Sequence, residues 1–204
     1  MNLIVVCVGL RLWPQKRWKK IVLVFFLTLF VVVAALITLF VVVTLVVLPQ
    51  INRDIVSGID VMNSDGSKTA LVVYQPGFTG FPRDVSYAFA NGLASSGWKV
   101  EITTAGSQAP SNLSGYSLLV LGFPVYGGRP GDAIVRYVNR MSNLTGISTV
   151  IIALDGLNSP GESVDIMKQK VKALNGIFHE SLALWIGNLS ATDFARKAGS
   201  EIAP

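Results

Sequence analysis

The sequence predicts an α/β domain, built as a three-layer sandwich around a parallel sheet, behind one N-terminal transmembrane helix. Residues 21–48 form an apolar run without a charge. Beyond this run, apolar segments of strand length alternate with segments of helical periodicity. Such alternation is typical of right-handed βαβ units, whose strands form a parallel sheet with helices on both faces.

The apolar run 21–48 is long enough to cross a lipid bilayer. A helix rises about 1.5 Å per residue, so a helix of this length exceeds the roughly 30 Å hydrocarbon core. The run is too long for the apolar part of a signal peptide, and Leu48-Pro49-Gln50 is not a small-residue cleavage site. We therefore expect an uncleaved transmembrane helix rather than a buried core helix.

Basic residues are concentrated before the apolar run. The segment 1–20 contains Arg11, Lys16, Arg17, Lys19 and Lys20, whereas residues 49–68 contain only Arg53 and Lys68. By the positive-inside rule, the N-terminus is predicted to be cytoplasmic and the C-terminal domain extracytoplasmic. Much of the formal net charge of +5 lies in this N-terminal segment. The domain itself is close to neutral, so its charge gives no indication of nucleic-acid binding.

Two further features concern export and redox chemistry. Cys7 is the only cysteine, which excludes an intrachain disulfide, an iron–sulfur cluster and a thiol redox pair. Three Asn-x-Ser/Thr triplets begin at Asn112, Asn143 and Asn188, in predicted loops or turns. These asparagines would accept glycans if the domain is exported in a glycosylating organism.

The segment 49–68 mixes polar and turn-forming residues with a few apolar ones, and is expected to form a tether. The regular pattern begins at Thr69, so the α/β domain is predicted over 69–204, which is long enough for a full core. A connection over 105–116 contains Gly, Pro, Ser and Asn and is expected to form no more than one turn of helix, and a short last helix is expected over 191–198. Strands are predicted at 70–74, 98–103, 117–122, 149–154 and 177–186.

A glycine-bearing loop, QPGFTGFP, follows the first predicted strand over residues 75–82. Gly77 and Gly80 allow the backbone to approach a ligand closely, and Pro82 suits the first position of the helix that follows. The free N–H groups at a helix N-terminus attract anions. The loop therefore predicts an anion site at the carboxyl end of the first strand.

A second loop, GFPVYGGRPG, follows the third predicted strand over residues 122–131. Pro124 stiffens the exit from the sheet, and Gly127 and Gly128 permit a tight reversal. Tyr126 is placed to stack on a flat aromatic ligand or, alternatively, to cover the core. Ligands of open α/β sheets bind outside the carboxyl ends of the strands. The two loops are therefore the places where a ligand is expected.

Both loops carry a resemblance to a known family. The stretch 74–90 resembles the phosphate loop of flavodoxins, with Thr79-Gly80 matching the Thr-Gly of their Thr-Gly-Asn-Thr segment. The stretch 112–128, NLSGYSLLVLGFPVYGG, resembles the third strand and isoalloxazine loop of the same family. The resemblance covers about residue 68 to the C-terminus. It implies a flavodoxin-like sheet of order 2-1-3-4-5 and noncovalent FMN at the carboxyl edge.

The resemblance implies flavin contacts from three segments, with no catalytic residue and no metal site. Arg83, early in the first helix, would meet the phosphate unless it is a solvated surface charge. Asp155, after the fourth strand, would lie near the flavin ring or ribityl chain, or would cap the turn there. The implied cofactor-binding residues are Gln75, Pro76, Gly77, Phe78, Thr79, Gly80, Phe81, Arg83, Phe123, Pro124, Val125, Tyr126, Gly127, Gly128, Asp155 and Gly156.

The first loop departs from the flavodoxin pattern. Pro76, Phe81 and Pro82 stand where the family usually has a Ser or Thr, an Asn and a Thr, so Thr79 is the remaining hydroxyl. A hydrogen bond to a charged group contributes about 1.5 to 3 kcal/mol. Each missing hydroxyl therefore removes a contribution of this size to phosphate binding, where water does not replace it.

The sequence predicts a membrane-anchored, flavodoxin-like protein that binds FMN and either transfers electrons or reduces a partner protein or small acceptor. The alternative is a degenerate domain of the same fold that has lost flavin and acts as a binding module on the membrane surface. A third hypothesis, an NAD(P)H-dependent reductase, lacks a separate nicotinamide motif. The sequence contains no Ser-His-Asp set, metal cluster or Walker motif. His179 is expected to be structural rather than a proton shuttle.

Overall fold

The computed structural model describes residues 15–47, 53–156 and 161–204. Two compact units, Met1–Pro49 and Gln50–Pro204, divide the chain. Each unit is therefore described by itself.

The first unit contains helix α1, Gln15–Val42, which continues as a π-helical stretch, Val43–Val47. A window of 18 residues within Arg17–Val46 has a mean hydropathy of 3.2, and none of its side chains is buried. The Thr28 and Thr38 hydroxyls donate hydrogen bonds of 2.8 Å to backbone carbonyls of the preceding turn. Polar atoms in lipid need such internal partners. The helix is therefore long and apolar enough to cross a membrane, and these two hydroxyls are satisfied within it.

The second unit alternates strands and helices as predicted. Its strands are β1 Asp60–Met62, β2 Lys68–Tyr74, β3 Trp98–Thr104, β4 Leu118–Tyr126, β5 Arg129–Pro130, β6 Ser148–Asp155 and β7 Ile177–Trp185. Its helices are α2 Phe81–Ser95, α3 Asp132–Asn139, α4 Gly161–Ala173 and α5 Ala191–Glu201.

The central sheet contains five parallel strands in the order β3-β2-β4-β6-β7. Counted along the chain, these are the strands 2-1-3-4-5, so the predicted order is confirmed. Two short antiparallel strands, β1 beside β3 and β5 beside β4, are additions that the sequence did not predict. The first and third parallel strands are neighbours, which brings the two predicted loops to one edge of the sheet.

Helices cover both faces of the sheet and make a three-layer sandwich. On one face α2 and α5 pack against Val72, Val120 and Ile152 of the central strands. On the other face α3 and α4 pack against Leu71, Leu121 and other residues of the same strands. Because both faces are buried, the central strands are apolar at nearly every position, as expected for a parallel sheet. The predicted α/β class is confirmed.

Close packing of α2 against α5 depends on two glycines. A Cβ atom on Gly92 would lie 2.1 Å from the carbonyl oxygen of Arg196, and one on Gly199 would lie 2.3 Å from that of Phe89. Real Cβ atoms do not approach backbone oxygens this closely. The backbones of the two helices therefore contact each other directly at Gly92 and Gly199.

Residues 53–62, which we call the N-terminal strap, lie within the segment expected as a tether but bind the domain. β1 pairs with β3, and Tyr87 on α2 donates a short hydrogen bond to the Asp60 carboxylate. The backbone N–H of Ser57 donates to Thr104 Oγ1 at 3.0 Å, and the Asp54 carboxylate accepts from the N–H of Ser107 at 3.0 Å. These contacts are polar and the strand has only three residues, so hydrophobic periodicity could not show them.

Smaller differences concern the ends of elements. The last helix continues to Glu201 instead of ending at residue 198. Helix α2 begins at Phe81, so Pro82 is its second residue and not its first. The connection 105–116 has no helix, as predicted. His179 is exposed on β7, the edge strand of the sheet.

Candidate functional site

A cavity of about 500 Å³ lies at the carboxyl edge of the sheet, where β2, β4, β6 and β7 end. Its volume is within the range of roughly 300 to 1,000 Å³ that small-molecule sites occupy. The lining residues come from the first loop, the second loop and the ends of β6 and β7. They are Gly77, Phe78, Thr79, Phe81, Pro82, Pro124, Val125, Tyr126, Gly127, Gly128, Leu154, Asp155, Gly156 and Ile186.

The second loop is a tight β-hairpin rather than an open loop. β4 continues to Tyr126, which pairs with Arg129 on β5. Gly127 and Gly128, the two residues between the strands, have φ values of +58° and +79°. Two consecutive left-handed residues are typical of a type I′ turn, whose twist matches that of the flanking strands. The glycines therefore fix the hairpin that carries Tyr126.

Three aromatic residues, Phe78, Phe81 and Tyr126, line the cavity, and two of their rings contact each other. The Tyr126 ring contacts the Phe78 ring edge to face, with 6.0 Å between the ring centroids and an interplanar angle of 68°. The Phe78 side chain is 61% exposed, whereas Tyr126 is half-buried. Burial raises the pKa of the Tyr126 hydroxyl above its usual value of 10.0, so this side chain is neutral at physiological pH. The cavity therefore offers a neutral aromatic surface to a flat ligand.

The first loop offers few donors to an anion. Gly80 precedes α2 and makes no side-chain cap. The N–H of Phe81 donates to the hydroxyl of Thr79 over a long 3.4 Å, and Pro82 has no N–H. Helix N-termini bind phosphate through just these first N–H groups. The start of α2 is thus a weaker anion site than an ordinary helix N-terminus.

The charges beside the first loop also differ from the expectation. The Arg83 guanidinium lies 5.3 Å from the centroid of the Tyr87 ring, a cation–π contact, and Arg83 does not line the cavity. A carboxylate oxygen of Asp84 lies 3.3 Å from the position that a Cβ on Gly80 would take. Among the described residues that line the cavity, none is basic, and Asp155 is the one with a carboxylate. The described walls of the cavity therefore offer no positive charge to an anion.

The ends of β6 and β7 form the third wall. Asp155 and Gly156 line the cavity as predicted from the third segment, and the N–H of Ile186 donates to the Asp155 carbonyl at 3.1 Å. The sequence prediction omitted Leu154 and Ile186, which also line it, and Pro82. A signal was present for two of these residues, because Leu154 and Ile186 are the last residues of their predicted strands and ligands bind beyond strand carboxyl ends.

Five of the predicted cofactor-binding residues do not line the cavity. Pro76 and Gly80 belong to the first loop but are not among the residues that line the cavity, and Arg83 stacks on Tyr87. Phe123 is fully buried in the core between the sheet and helices α3 and α4.

Gln75 is the fifth of these residues, and its hydrogen bonds join the first loop to β4 and α3 beneath the cavity. Its Oε1 accepts a hydrogen bond of 3.0 Å from the N–H of Ile134 in the first turn of α3, and its own N–H donates to Gly122 at 2.8 Å. A Cβ on Gly131 would lie 2.4 Å from this amide. Gln75 therefore links the first loop to α3 and is only 2% exposed, so it does not reach a ligand in the cavity.

The chemistry of the cavity follows from these contacts. Within the described residues, no group of three His, Cys, Asp or Glu side chains is placed to hold a metal ion. Among the described residues, the walls are mostly apolar and aromatic, with hydroxyls from Thr79 and Tyr126 and one carboxylate, that of Asp155. Such a cavity suits a flat, largely apolar ring much better than a multiply charged ligand.

No protein-family model and no curated protein matches the sequence. Several solved structures are similar to the domain. A flavodoxin from the domain Archaea is 16% identical, with a TM-score of 0.55, and the match covers 66% of this chain and 96% of that one. The two-electron reduced flavodoxin of Megasphaera elsdenii is 18% identical, with a TM-score of 0.55, over 65% of this chain and 99% of that one.

A larger protein also contains a similar domain. The Flv1 flavodiiron core from Synechocystis sp. PCC6803 is 14% identical, with a TM-score of 0.57. The match covers 68% of this chain but only 36% of the flavodiiron core, so the chain spans about a third of that protein's length. At these identities the likeness establishes the fold, and the domain has the flavodoxin-like fold.

Proposed function

We propose that this protein is a membrane-anchored, flavodoxin-like electron carrier whose cavity binds FMN. The proposal rests on one observation: Tyr126, held by a rigid hairpin, and Phe78 flank an apolar cavity at the carboxyl edge of a flavodoxin-like sheet. The two-electron reduced flavodoxin among the similar structures is consistent with redox chemistry on this fold. FMN, when bound, supplies reversible one- and two-electron transfer.

The ring end of the cavity is the part that fits FMN well. Tyr126 offers a neutral face for stacking, and Pro124 and Val125 extend the apolar wall beside it. Stacking of aromatic groups contributes about 0.5 to 1.5 kcal/mol beyond the buried area. The Asp155 carboxylate would oppose the gain of negative charge in the cavity, which makes reduction harder. These residues would thus bind the ring and lower its reduction potential.

The phosphate end would bind through Thr79 and the backbone N–H groups of Gly77 to Phe81. Pro82 removes one donor, and Asp84 places a negative charge beside the loop. Each of these features weakens phosphate binding, because charged oxygens need either donors or cations. We therefore propose that FMN binds less tightly than in a flavodoxin whose phosphate loop has the full set of hydroxyls.

Helix α1 would anchor this carrier in the membrane as a single span. Its length and hydropathy support the anchor, and the basic residues before it support a cytoplasmic N-terminus. The domain would then be extracytoplasmic and exchange electrons there with a partner protein or a small acceptor. Protease added to intact cells would cleave the domain in this orientation. Protection of the domain from protease would indicate the opposite orientation.

Flavin binding can be tested on the full-length protein purified in detergent. We expect the protein to take up added FMN, to keep its visible absorbance through gel filtration, and to lose that absorbance on reduction with dithionite. The Tyr126→Ala variant should retain less flavin than the wild type, and Tyr116→Phe, which lies outside the cavity, should retain the same amount. A colourless protein that fails to take up FMN would overturn the proposal.

The second candidate function is a flavin-free binding module of the same fold. It is favoured by the start of α2, where Pro82 has no N–H to donate to a phosphate and the Asp84 carboxylate lies beside Gly80. The double variant Phe81→Asn with Pro82→Thr discriminates between the two functions. A rise in FMN binding from undetectable to strong would indicate a degenerate site. A small change in an already measurable affinity would indicate a working site with an unusual loop.

A further inference from the structure

Two of the three Asn-x-Ser/Thr triplets lie together at the amino edge of the sheet. The first, at Asn112, precedes β4, and the second, at Asn143, precedes β6. Residues of both triplets line one shallow surface groove. The cavity described above lies at the opposite, carboxyl edge.

The two triplets have the same pattern of burial. Their central leucines, Leu113 and Leu144, are 3% and 0% exposed and anchor the loops in the core. The asparagine before each leucine and the hydroxyl residue after it are exposed. Thr145 Oγ1 also donates a hydrogen bond of 2.7 Å to Asn143 Oδ1. In both loops the two residues that a glycosyl-transferring enzyme reads therefore project outward on a fixed backbone.

The third triplet differs from the other two in its asparagine and its leucine, while its Ser190 is exposed like Ser114 and Thr145. Its leucine, Leu189, is 99% exposed, whereas Asn188 is half-buried. The Asn188 N–H donates to the carbonyl of Trp185 at 3.0 Å, and its carbonyl accepts from Ala191 at 3.1 Å, so it forms the turn between β7 and α5. Ile186, two residues earlier, lines the cavity. A glycan on Asn188 would therefore have to grow from a partly covered side chain beside the proposed site.

We propose that Asn112 and Asn143 are N-glycosylation sites and that Asn188 is not. The co-reactant is a polyprenyl-diphosphate-linked oligosaccharide. The side-chain amide nitrogen forms a bond to C1 of the first sugar and loses a proton, while the C1–O bond breaks and the diphosphate leaves with the electron pair. The reaction requires the domain to face the lumen where this donor is presented, which is the orientation predicted from the basic N-terminal segment.

The position of these two sites has a functional consequence. Glycans are bulky and solubilising, so they block the surface that carries them. At the amino edge they would cover the groove between the two loops and leave the carboxyl edge open. A ligand and a redox partner could then reach the cavity of the glycosylated protein. The glycosylation sites themselves do not depend on whether the cavity binds a flavin.

Expression of the full chain in a eukaryotic secretory host tests the proposal. On gels, we expect two glycans, seen as two mobility steps that peptide N-glycosidase removes. Asn112→Gln and Asn143→Gln should each remove one step, the double variant should remove both, and Asn188→Gln should remove none. Thr145→Ser should keep the Asn143 glycan, whereas Thr145→Ala should lose it. Absence of any mobility shift, or a shift that persists in the double variant, would overturn the proposal.

Discussion

The ring of Tyr126 lies edge to face against the ring of Phe78, with 6.0 Å between the two centroids. Tyr126 is held by the β4–β5 hairpin, whereas Phe78 is exposed on the first loop. The Phe78 ring is not part of the buried core on either face of the sheet. The contact therefore pairs an aromatic wall that the hairpin fixes with an exposed one on the first loop.

The first prediction concerns this fixed wall. Replacement of Tyr126 by Ala should weaken FMN binding by up to about tenfold, because stacking contributes roughly 0.5 to 1.5 kcal/mol. Tyr126→Phe should bind FMN as the wild type does, since the ring and not the hydroxyl makes the contact. Fluorescence quenching of FMN measures both affinities. Equal loss in the Phe and Ala variants would show that the hydroxyl, not the ring, binds the ligand.

The second prediction concerns charge at the start of α2. Asp84→Asn should strengthen FMN binding, because the variant removes a carboxylate beside Gly80 and the proposed phosphate position. The gain should shrink as salt is raised, since exposed charges are screened. Asp193→Asn, which makes the same change in the first turn of α5, is the matched control. A gain that is equal in both variants would contradict the proposed position of the phosphate.

The prediction of the fold succeeded where hydrophobic pattern determines structure. The three central strands, β2, β4 and β6, are apolar at most positions because both faces of the sheet are buried there, and this pattern is visible in the sequence. The N-terminal strap was missed because polar pairs such as Asp54 with Ser107 hold it in place. Pairs of this kind join residues that are distant in the sequence, and no periodicity marks them.

The cavity lies at the edge of the sheet where the sequence predicted a ligand, and the binding of a ligand there stays a prediction. The positions of the two loops follow from strand order, because neighbouring parallel strands end at the same edge. The directions of individual side chains do not follow from it. Gln75 turns inward to α3 and Arg83 turns onto Tyr87, since each finds a partner there that the loop sequence does not reveal.

The third prediction concerns the contact between α2 and α5. Gly199→Ala should lower the free energy of unfolding by about 1 to 3 kcal/mol, because its Cβ would overlap the Phe89 carbonyl and the helices must separate. Gly161→Ala is the matched control, since it lies in α4 and its Cβ would contact nothing within 4 Å. Urea unfolding followed by circular dichroism measures both. A Gly199→Ala variant with the same urea midpoint of unfolding as the wild type would contradict the direct backbone contact.

The fourth prediction concerns pH. The Tyr116 hydroxyl donates a hydrogen bond of 2.5 Å to the Glu101 carboxylate, and Lys99 forms an ion pair of 2.9 Å with it. The Tyr116 hydrogen bond, followed by Lys99, lowers the pKa of Glu101 below its usual 4.5, although burial opposes this. A lowered pKa in the folded state means that the stabilisation is complete above the unfolded pKa and is lost as the pH falls through the folded pKa.

Tyr116→Phe tests this pH dependence. The variant should be less stable than the wild type at pH 7, by about 1 to 2 kcal/mol, and the difference should shrink as the pH falls below about 4.5. Urea unfolding at pH 7 and at lower pH gives the comparison. A stability difference that is independent of pH would mean that Tyr116 contributes only by packing.

The central claim is that the cavity between Tyr126, Thr79 and Asp155 binds FMN, and the most direct measurement is a titration of FMN with the full-length protein in detergent. We predict saturable quenching of FMN fluorescence with one FMN per chain, weakened in Tyr126→Ala. Absence of saturable quenching up to about 1 mM protein, where binding would be weaker than about −4 kcal/mol, would contradict the claim.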